Sequence, residues 1–202
     1  MISIVDYGMG NLGSLLNMFK RVGTRACIVS DPRCLQSASK IVLPGVGAFD
    51  AAMQCINSIP GLKETLEFKA LVEQIPILGV CLGMQLLTEQ SEEGILPGLG
   101  WIMGRTYRFP RGTGLKVPHM GWNSAHPSTP NPLTVDLGED PRYYFVHSYH
   151  VLVTNSQHSI MKTKYGIEFD SAIAKDNILG VQFHPEKSHR FGMQILNNFA
   201  AL

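Results

Sequence analysis

The chain is short of charge. Asp, Glu, Lys and Arg make up 16% of its 202 residues, against roughly 25% in an ordinary soluble protein. Those charges almost cancel, with seventeen Lys and Arg against sixteen Asp and Glu. No basic run occurs, so neither a nucleic-acid-binding face nor a polybasic membrane anchor is expected. No uninterrupted apolar stretch of about 18 residues is present. The start, MISIVDYG, reaches Asp6 with no basic n-region and no small-residue cleavage site. The expectation is a cytoplasmic chain without membrane attachment. The four cysteines, Cys27, Cys34, Cys55 and Cys81, form no CxxC pair, which argues against a zinc knuckle, a redox dithiol or a disulfide framework. Cys27, Cys34 and Cys55 read as small buried hydrophobes. No metal and no cofactor is expected.

Apolar residues make up 45% of the chain, enough for a real core, and the length suits one domain over 1–202. The first half alternates β-rich runs with helical patterns: ISIVDY, a helix over 12–21, ACIVS, KIVLPG, helices over 49–56 and 62–74, then PILGVC. These are βαβ units. Nearly continuous apolar strands are what a parallel sheet covered by helices on both faces requires, so a doubly wound, mainly parallel α/β fold is expected. From Trp101 the pattern turns to successive strands, WIMGRTYRF, VPHMGWNSA, YYFVHSYHVLV, SIMKTKYG and FDSAIAKDNILGVQF, read as antiparallel additions. A closing helix is expected over 190–202, with Phe191, Ile195, Leu196 and Phe199 on one face.

Three segments could carry chemistry. The first, Gly8-Met9-Gly10-Asn11-Leu12-Gly13, matches GxGxxG between a strand and a helix, with Asp31 eighteen residues further on, and so raises a nicotinamide-dependent oxidoreductase. Asp6 and Tyr7 put a charge and a ring where a pyrophosphate would approach, and no hydride-transfer site follows. The plainer alternative is that these glycines serve tight turning and close packing.

The second, Gly79-Val80-Cys81-Leu82-Gly83, has the form of a nucleophile elbow with Cys in place of Ser. Small residues are needed two positions either side of a nucleophile on a sharp strand-to-helix turn. The positive end of the following helix should favour a thiolate, and the Leu82 N–H can face a developing oxyanion. A thiolate needs a base and the base an orienting group. Gly180-Val181-Gln182-Phe183-His184-Pro185-Glu186-Lys187 supplies both, with Pro185 holding the chain extended so that His184 and Glu186 project together. A zinc site from His184, Glu186 and His189 lacks regular ligand spacing. The third segment, Leu43-Pro44-Gly45-Val46-Gly47-Ala48-Phe49, ends a strand in a loop that should lie beside the elbow and offer a second oxyanion donor, or else is a plain turn.

Taken together and in this order, LPGVGAF, GVCLGMQLL and VQFHPEKS resemble the class I (triad) glutamine amidotransferases. VDYGMGNLGS, KVPHMGWN and YYFVHSYH are similar to the branch of that family that supplies ammonia to a (β/α)₈-barrel cyclase subunit in histidine biosynthesis. The resemblance implies that Cys81 attacks the side-chain amide of glutamine to form a γ-glutamyl thioester, that His184 moves the proton, and that Glu186 orients His184. It implies an oxyanion hole from Leu82 and from Val46 or Gly47. It further implies glutamine binding by Gly45, Gln85, His147, Ser148 and Tyr149, and a heterodimer contacted through Asn11, Trp122 and Lys187. The remaining alternatives are a paralogue serving another acceptor, such as a sugar-modifying enzyme, and a non-catalytic binding subunit, the latter opposed by the intact Cys81, His184 and Glu186.

Overall fold

The computed structural model describes residues 1–110 and 114–202. Among them the strands are β1 (Ile2–Val5), β2 (Ala26–Val29), β3 (Lys40–Gly45), β4 (Ile77–Cys81), β5 (Gln90–Ser91), β6 (Gly104–Arg108), β7 (His119–Ser124), β8 (His126–Pro127), β9 (Arg142–His147), β10 (Tyr149–Val153), β11 (Ser159–Tyr165), β12 (Ile167–Lys175) and β13 (Ile178–Val181). The α-helices are α1 (Leu12–Arg21), α2 (Phe49–Ser58), α3 (Leu62–Glu67), α4 (Leu82–Leu86) and α5 (His189–Ala201).

The main sheet runs β2-β1-β3-β4-β13-β12-β10-β6-β5, with β11 and β8 attached beside β12. Its first five strands are mutually parallel. Every residue of β1, β4 and β13 is buried, as strands covered on both faces must be. Alternate residues feed two cores. Ile4, Val42, Leu78 and Val80 pack with Leu15 and Phe19 of α1 and with Ile195, Leu196 and Phe199 of α5. Val5, Ile41, Leu43 and Ile77 pack with Phe49, Met53 and Ile56 of α2 and Leu66 of α3. Helix α1 buries Leu15, Met18 and Phe19 at helical spacing, carries Lys20 and Arg21 in its last turn, and is followed by Gly23 at φ +76°, a left-handed residue suited to ending a helix. The doubly wound, mainly parallel α/β fold is as expected. Among the described residues no helix is long and apolar enough to cross a membrane.

The second half departs from the simple expectation at two breaks. YYFVHSYHVLV is not one strand. It divides at Ser148, whose carbonyl accepts from Phe109 N–H; β9 pairs with β7 in a separate two-stranded sheet, while β10 joins the main sheet against β6 and β12. FDSAIAKDNILGVQF turns back at Asp176, at φ +53°, so that β13 runs antiparallel to β12 but parallel to β4, at the centre of the sheet. The helix expected over 62–74 changes after Glu67 into a π turn, Phe68–Val72. All four cysteines are free; Cys81 is buried, but Cys34 is exposed and Cys27 and Cys55 are half-buried. Cys27 and Cys55 pack against the core as expected in kind if not in full depth, whereas Cys34 departs from that reading: it lies on a 3-10 turn, Pro32–Ser37, that buries only Leu35.

Two glycines make the packing argument testable. A Cβ on Gly83 would run into the Leu43 carbonyl, whereas one on Gly13, in α1, would meet nothing within 4 Å. Gly83→Ala is expected to destabilise the chain by at least ~2 kcal/mol through forced backbone movement. Gly13→Ala should stabilise it by up to about 1 kcal/mol through helix propensity. Thermal or urea melts of both variants check this; equal effects would show that the β3–α4 crossing is not tight.

Candidate active site

Strand register assembles the site. Gly45 of β3 pairs with Cys81 of β4, and Val181 of β13 pairs with Val80. The residues that follow these three strands therefore emerge together at the carboxyl edge of the sheet, where ligands of open α/β sheets bind. Cys81 has φ +54° and ψ −108°, a conformation that costs a non-glycine residue about 1–3 kcal/mol. The surrounding glycines explain how it is held. A Cβ on Gly79 would lie 2.6 Å from the Gly83 carbonyl oxygen, and one on Gly45 would lie 2.9 Å from Gly83 N, Leu82 Cβ and the Tyr7 hydroxyl alike. Tyr7 donates its hydroxyl to the Pro44 carbonyl at 2.6 Å, fixing the β3 end from behind. Helix α4 has only five residues, so the expected macrodipole reduces to the free N–H groups of its first turn.

His184 is positioned through its backbone. Its N–H donates to the Tyr144 carbonyl at 2.9 Å, and its carbonyl accepts from Ser188 Oγ at 2.6 Å. Pro185 does not continue an extended chain as expected; it begins a 3-10 turn, Pro185–Lys187. That turn brings Glu186 back onto the ring, with His184 Nδ1 and Glu186 Oε1 2.8 Å apart and both side chains buried. A carboxylate oxygen only accepts, so Nδ1 carries a proton, and Nε2 is the atom left for the cavity it shares with Cys81. Burial opposes a charged imidazole here, but the Cys81 sulfur and Glu186 outweigh it and raise the His184 pKa above 6.5. Among the described residues neither His184 Nε2 nor Glu186 Oε2 has a hydrogen-bond partner.

The cavity is about 340 Å³ and is lined by Val46, Gly47, Cys81, Leu82, Gln85, Glu93, Pro118, Val146, His147, Ser148, Tyr149, His184 and Lys187. A larger depression, about 680 Å³ and lined by Asp136–Asp140 and Arg190, holds no nucleophile. Most residues assigned from the sequence to the triad, the oxyanion hole and glutamine binding thus meet at one wall. Gly45 does not; it is buried behind the wall, where it permits the approach of the elbow. His147 reaches the wall, yet both of its ring nitrogens are committed: Nδ1 to the Tyr149 carbonyl at 2.7 Å and Nε2 to His119 Nδ1 at 2.9 Å. It has no free ring nitrogen for a ligand, so a part for His147 in holding glutamine would not run through its ring nitrogens.

Of the three residues assigned to a partner contact, Lys187 is exposed at the cavity mouth, with Nζ 5.6 Å from the centre of the Tyr144 ring. Trp122 is exposed and stacks on His189 at 5.3 Å, and Asn11 is exposed at the start of α1.

Sequence reasoning missed two residues. Glu93 lines the cavity and accepts from Phe49 N–H at 2.9 Å; nothing in the local run SEEG marks it. Gln182 is fully buried and donates to Cys81 Sγ at 3.8 Å; a buried amide needs partners, and its place beside Phe183 and His184 was the available signal.

The dinucleotide alternative loses its parts. Gly8 and Gly10 do adopt left-handed φ, +89° and +123°, but Gly10 lies against Pro44 and Met9 against Gly47. Gly13 supports no close helix–strand packing, and Asp31 is bound to Arg33 and caps the Pro32 turn. The loop serves as a buttress for the β3 end. His189, stacked on Trp122, does not join His184 and Glu186.

The family model described as "Glutamine amidotransferase class-I" matches residues 3–202. The chain belongs to the class I glutamine amidotransferases. Imidazole glycerol phosphate synthase subunit HisH 2 of Methanococcus maripaludis is 50% identical over 98% of both chains. Subunit HisH 2 of Pseudomonas aeruginosa is 46% identical over the full length of both. Among solved structures, a putative GMP synthase protein from Thermoplasma acidophilum superposes with a TM-score of 0.74 at 18% identity, over 99% of this chain and 92% of its own. A further glutamine amidotransferase gives 0.73 at 15% identity over the whole of both chains. These two share the fold of this amidotransferase.

Beneath the cavity this amidotransferase buries three histidines. Burial lowers His119 and His150 from 6.5 to about 4 and His147 to about 3. The unfolded chain therefore takes up protons near pH 6.5 that the folded chain refuses until about pH 4. Their stabilising contribution is present above 6.5 and lost as pH falls. His184 has the opposite sign, its contribution being full below 6.5, so it hardly varies across this window. Unfolding free energy is expected to drop by at least ~2 kcal/mol between about pH 7 and about pH 5. His150→Phe, retaining the ring that packs 4.8 Å from Phe109, should flatten that slope by about one proton. Urea titrations across pH check both; an unchanged slope would contradict burial of a neutral His150.

Proposed function

We propose that this chain is the glutaminase subunit of imidazole glycerol phosphate synthase, hydrolysing glutamine and delivering ammonia to a (β/α)₈-barrel cyclase subunit in histidine biosynthesis. The observation that carries the chemistry is the meeting of Cys81 and His184 on one glutamine-sized cavity, with His184 Nδ1 committed to the buried Glu186 at 2.8 Å. Relatives bearing that synthase's name at 50% and 46% identity over nearly the whole chain support the pathway. Cys81 gives its thiol proton to His184 Nε2 and its sulfur attacks the amide carbon of glutamine; the oxyanion is met by N–H groups of Leu82 and of Val46 or Gly47. His184 passes its Nε2 proton to the amide nitrogen, C–N cleavage releases ammonia, and the γ-glutamyl thioester remains. Water then attacks, giving up a proton to His184, and glutamate and the thiol are regenerated. Glu186 holds the ring and its charge without exchanging protons with substrate.

Recognition of glutamine follows from the wall. Glu93 is the one acidic group lining the cavity and complements the α-ammonium; Lys187 complements the α-carboxylate. Ser148, Tyr149 and Gln85 line the remainder. To the cyclase contact of Trp122, Asn11 and Lys187 we add Met120 and Val117, 61% and 38% exposed. No cofactor, metal, nucleic acid or membrane takes part, and the location is cytoplasmic.

Cys81→Ala is expected to abolish glutaminase activity while leaving ammonia-dependent turnover by the cyclase intact, because the acceptor reaction needs only ammonia. The assay is cyclisation by the two-protein complex with glutamine, then with ammonium salt. Retained glutaminase activity would exclude Cys81 as nucleophile. A second reading is favoured by the numeral in both HisH 2 names: a paralogous chain feeding another acceptor, such as a sugar-modifying enzyme. Failure to support the cyclase alongside an active glutaminase would favour it.

The oxyanion loop adds a regulatory expectation. Val46 is 42% exposed and Gly47 has φ +100°, a position where the adjoining peptide can turn. If the loop N–H reaches the cavity only when the cyclase is docked, the lone chain hydrolyses glutamine slowly and ammonia is not wasted. One missing oxyanion donor costs about 10² to 10³ in rate, so docking should stimulate by at least that order. Steady-state assays of the chain alone and with the cyclase, loaded or empty, decide; a lone chain as fast as the complex rules gating out.

A further inference from the structure

Beside the nucleophile the structure holds a row of hydrogen bonds that the triad chemistry does not use. We propose that Gln182 is a positioning residue for the Cys81 sulfur, its amide N–H aimed at the nucleophile by Gln85, which the Tyr149 carbonyl orients. The inference rests on reading Cys81 as the nucleophile.

The direction of every link follows from two fixed ends. The Tyr149 carbonyl can only accept. The Gln85 atom 3.2 Å from it is therefore the amide nitrogen, and the same nitrogen donates its other hydrogen at 3.1 Å to Gln182, which must present its oxygen. That leaves the Gln182 nitrogen toward Cys81 Sγ, 3.8 Å away. The same carbonyl requires His147 Nδ1, 2.7 Å away, to carry a hydrogen. With His147 neutral in its buried setting, Nε2 is then an acceptor, so His119 Nδ1 donates to it at 2.9 Å. His119, also neutral, has Nε2 left as an acceptor for Asn123 Nδ2 at 3.2 Å. The far end agrees independently: Asn123 Nδ2 also lies 3.0 Å from the Lys164 carbonyl, which can only accept, so that atom is the amide nitrogen. The two rows are thus fixed separately: the Lys164 and Tyr149 carbonyls agree on the orientation of Asn123, His119 and His147, and the Tyr149 carbonyl orients Gln85 and through it Gln182. Reversing Gln182 would set its oxygen against the sulfur and its nitrogen against the nitrogen of Gln85, losing both bonds at a fully buried position.

An N–H held toward sulfur favours thiolate over thiol. It does so without moving a proton. The titratable groups that bear on Cys81 are His184 with Glu186 behind it, Tyr7 and Cys55 behind the elbow, and Glu93 and Lys187 across the cavity; none is altered by replacing Gln182. Gln182→Met keeps the length and removes the donor, and Gln182→Glu keeps the shape and adds a negative charge.

The test is iodoacetamide labelling of the full chain, followed at the Cys81 peptide so that exposed Cys34 does not interfere. Relative to the parent, Gln182→Met should be labelled about tenfold more slowly near neutral pH and equally fast near pH 10, where thiols ionise in any case; Gln182→Glu should be slower still at neutral pH. Glutaminase kcat should fall in the same order with KM retained. Neutral-pH labelling and kcat of Gln182→Met within twofold of the parent would overturn the proposal. Should Gln182→Met fail to melt cooperatively, Gln85→Met, which frees Gln182 to turn while leaving it in place, must slow neutral-pH labelling, and unchanged labelling there overturns the proposal equally. Full glutaminase activity in Cys81→Ala would instead discard the nucleophile reading on which the inference rests.

Discussion

The site depends on one backbone crossing. At the end of β4 the chain must leave the sheet, enter a helix and expose a side chain within three residues, and it does so with Cys81 at φ +54°. That conformation persists only because the neighbouring backbone leaves it no alternative: Gly79 against Gly83, Gly83 against Leu43, and Gly45 against Leu82. Each contact replaces a side chain with a main chain, so the strain at the nucleophile is offset by close packing that a single methyl group would destroy. The loop after β1 belongs to the same construction, since Tyr7 binds the Pro44 carbonyl and Met9 lies on Gly47. Glycines that spell a nucleotide motif are used here to let two loops touch.

What was legible in the sequence is what adjacency along the chain determines. The elbow is five consecutive residues, and His184 and Glu186 are two apart, so composition and spacing alone specified their chemistry. Even there the local geometry differed: Pro185 opens a turn instead of extending the chain, and the His184–Glu186 contact is made by curling back. The parallel core was readable because strands buried on both faces lose their polar alternation. The break at Ser148 was not, because residues on either side are equally apolar and only their partners, β7 on one side and β6 on the other, separate them. The central position of β13 was hidden for the same reason: a hairpin arm shows in sequence that it turns, not which strand lies on its other edge.

The residues missed share a cause. Glu93 reaches the cavity because its carboxylate accepts from Phe49 N–H, forty-four positions earlier, and Gln182 meets Gln85 across ninety-seven. No local pattern encodes such pairings. The resemblance implies a glutamine-binding place for the segment His147 to Tyr149, but it does not show that the His147 ring nitrogens are committed to Tyr149 and His119. Hydrogen-bond capacity, not proximity, decides what a buried polar group has left to offer a substrate.

The contrast among the buried histidines shows how little is needed to set the chemistry. His119, His147 and His150 are desolvated and neutral, and so is the surrounding packing of Phe109, Phe145 and Phe169. His184 is as deeply enclosed as they are, yet its pKa moves upward instead of down. The difference is the Cys81 sulfur and the Glu186 carboxyl group beside its ring. A charge on His147 would act against one on His184, so keeping the three rings neutral confines the positive charge to the ring that faces the sulfur. Low overall charge in the sequence and a single charged imidazole at the nucleophile are thus parts of the same solution: in a nearly uncharged interior, one carboxylate on a one-turn helix determines where the proton resides.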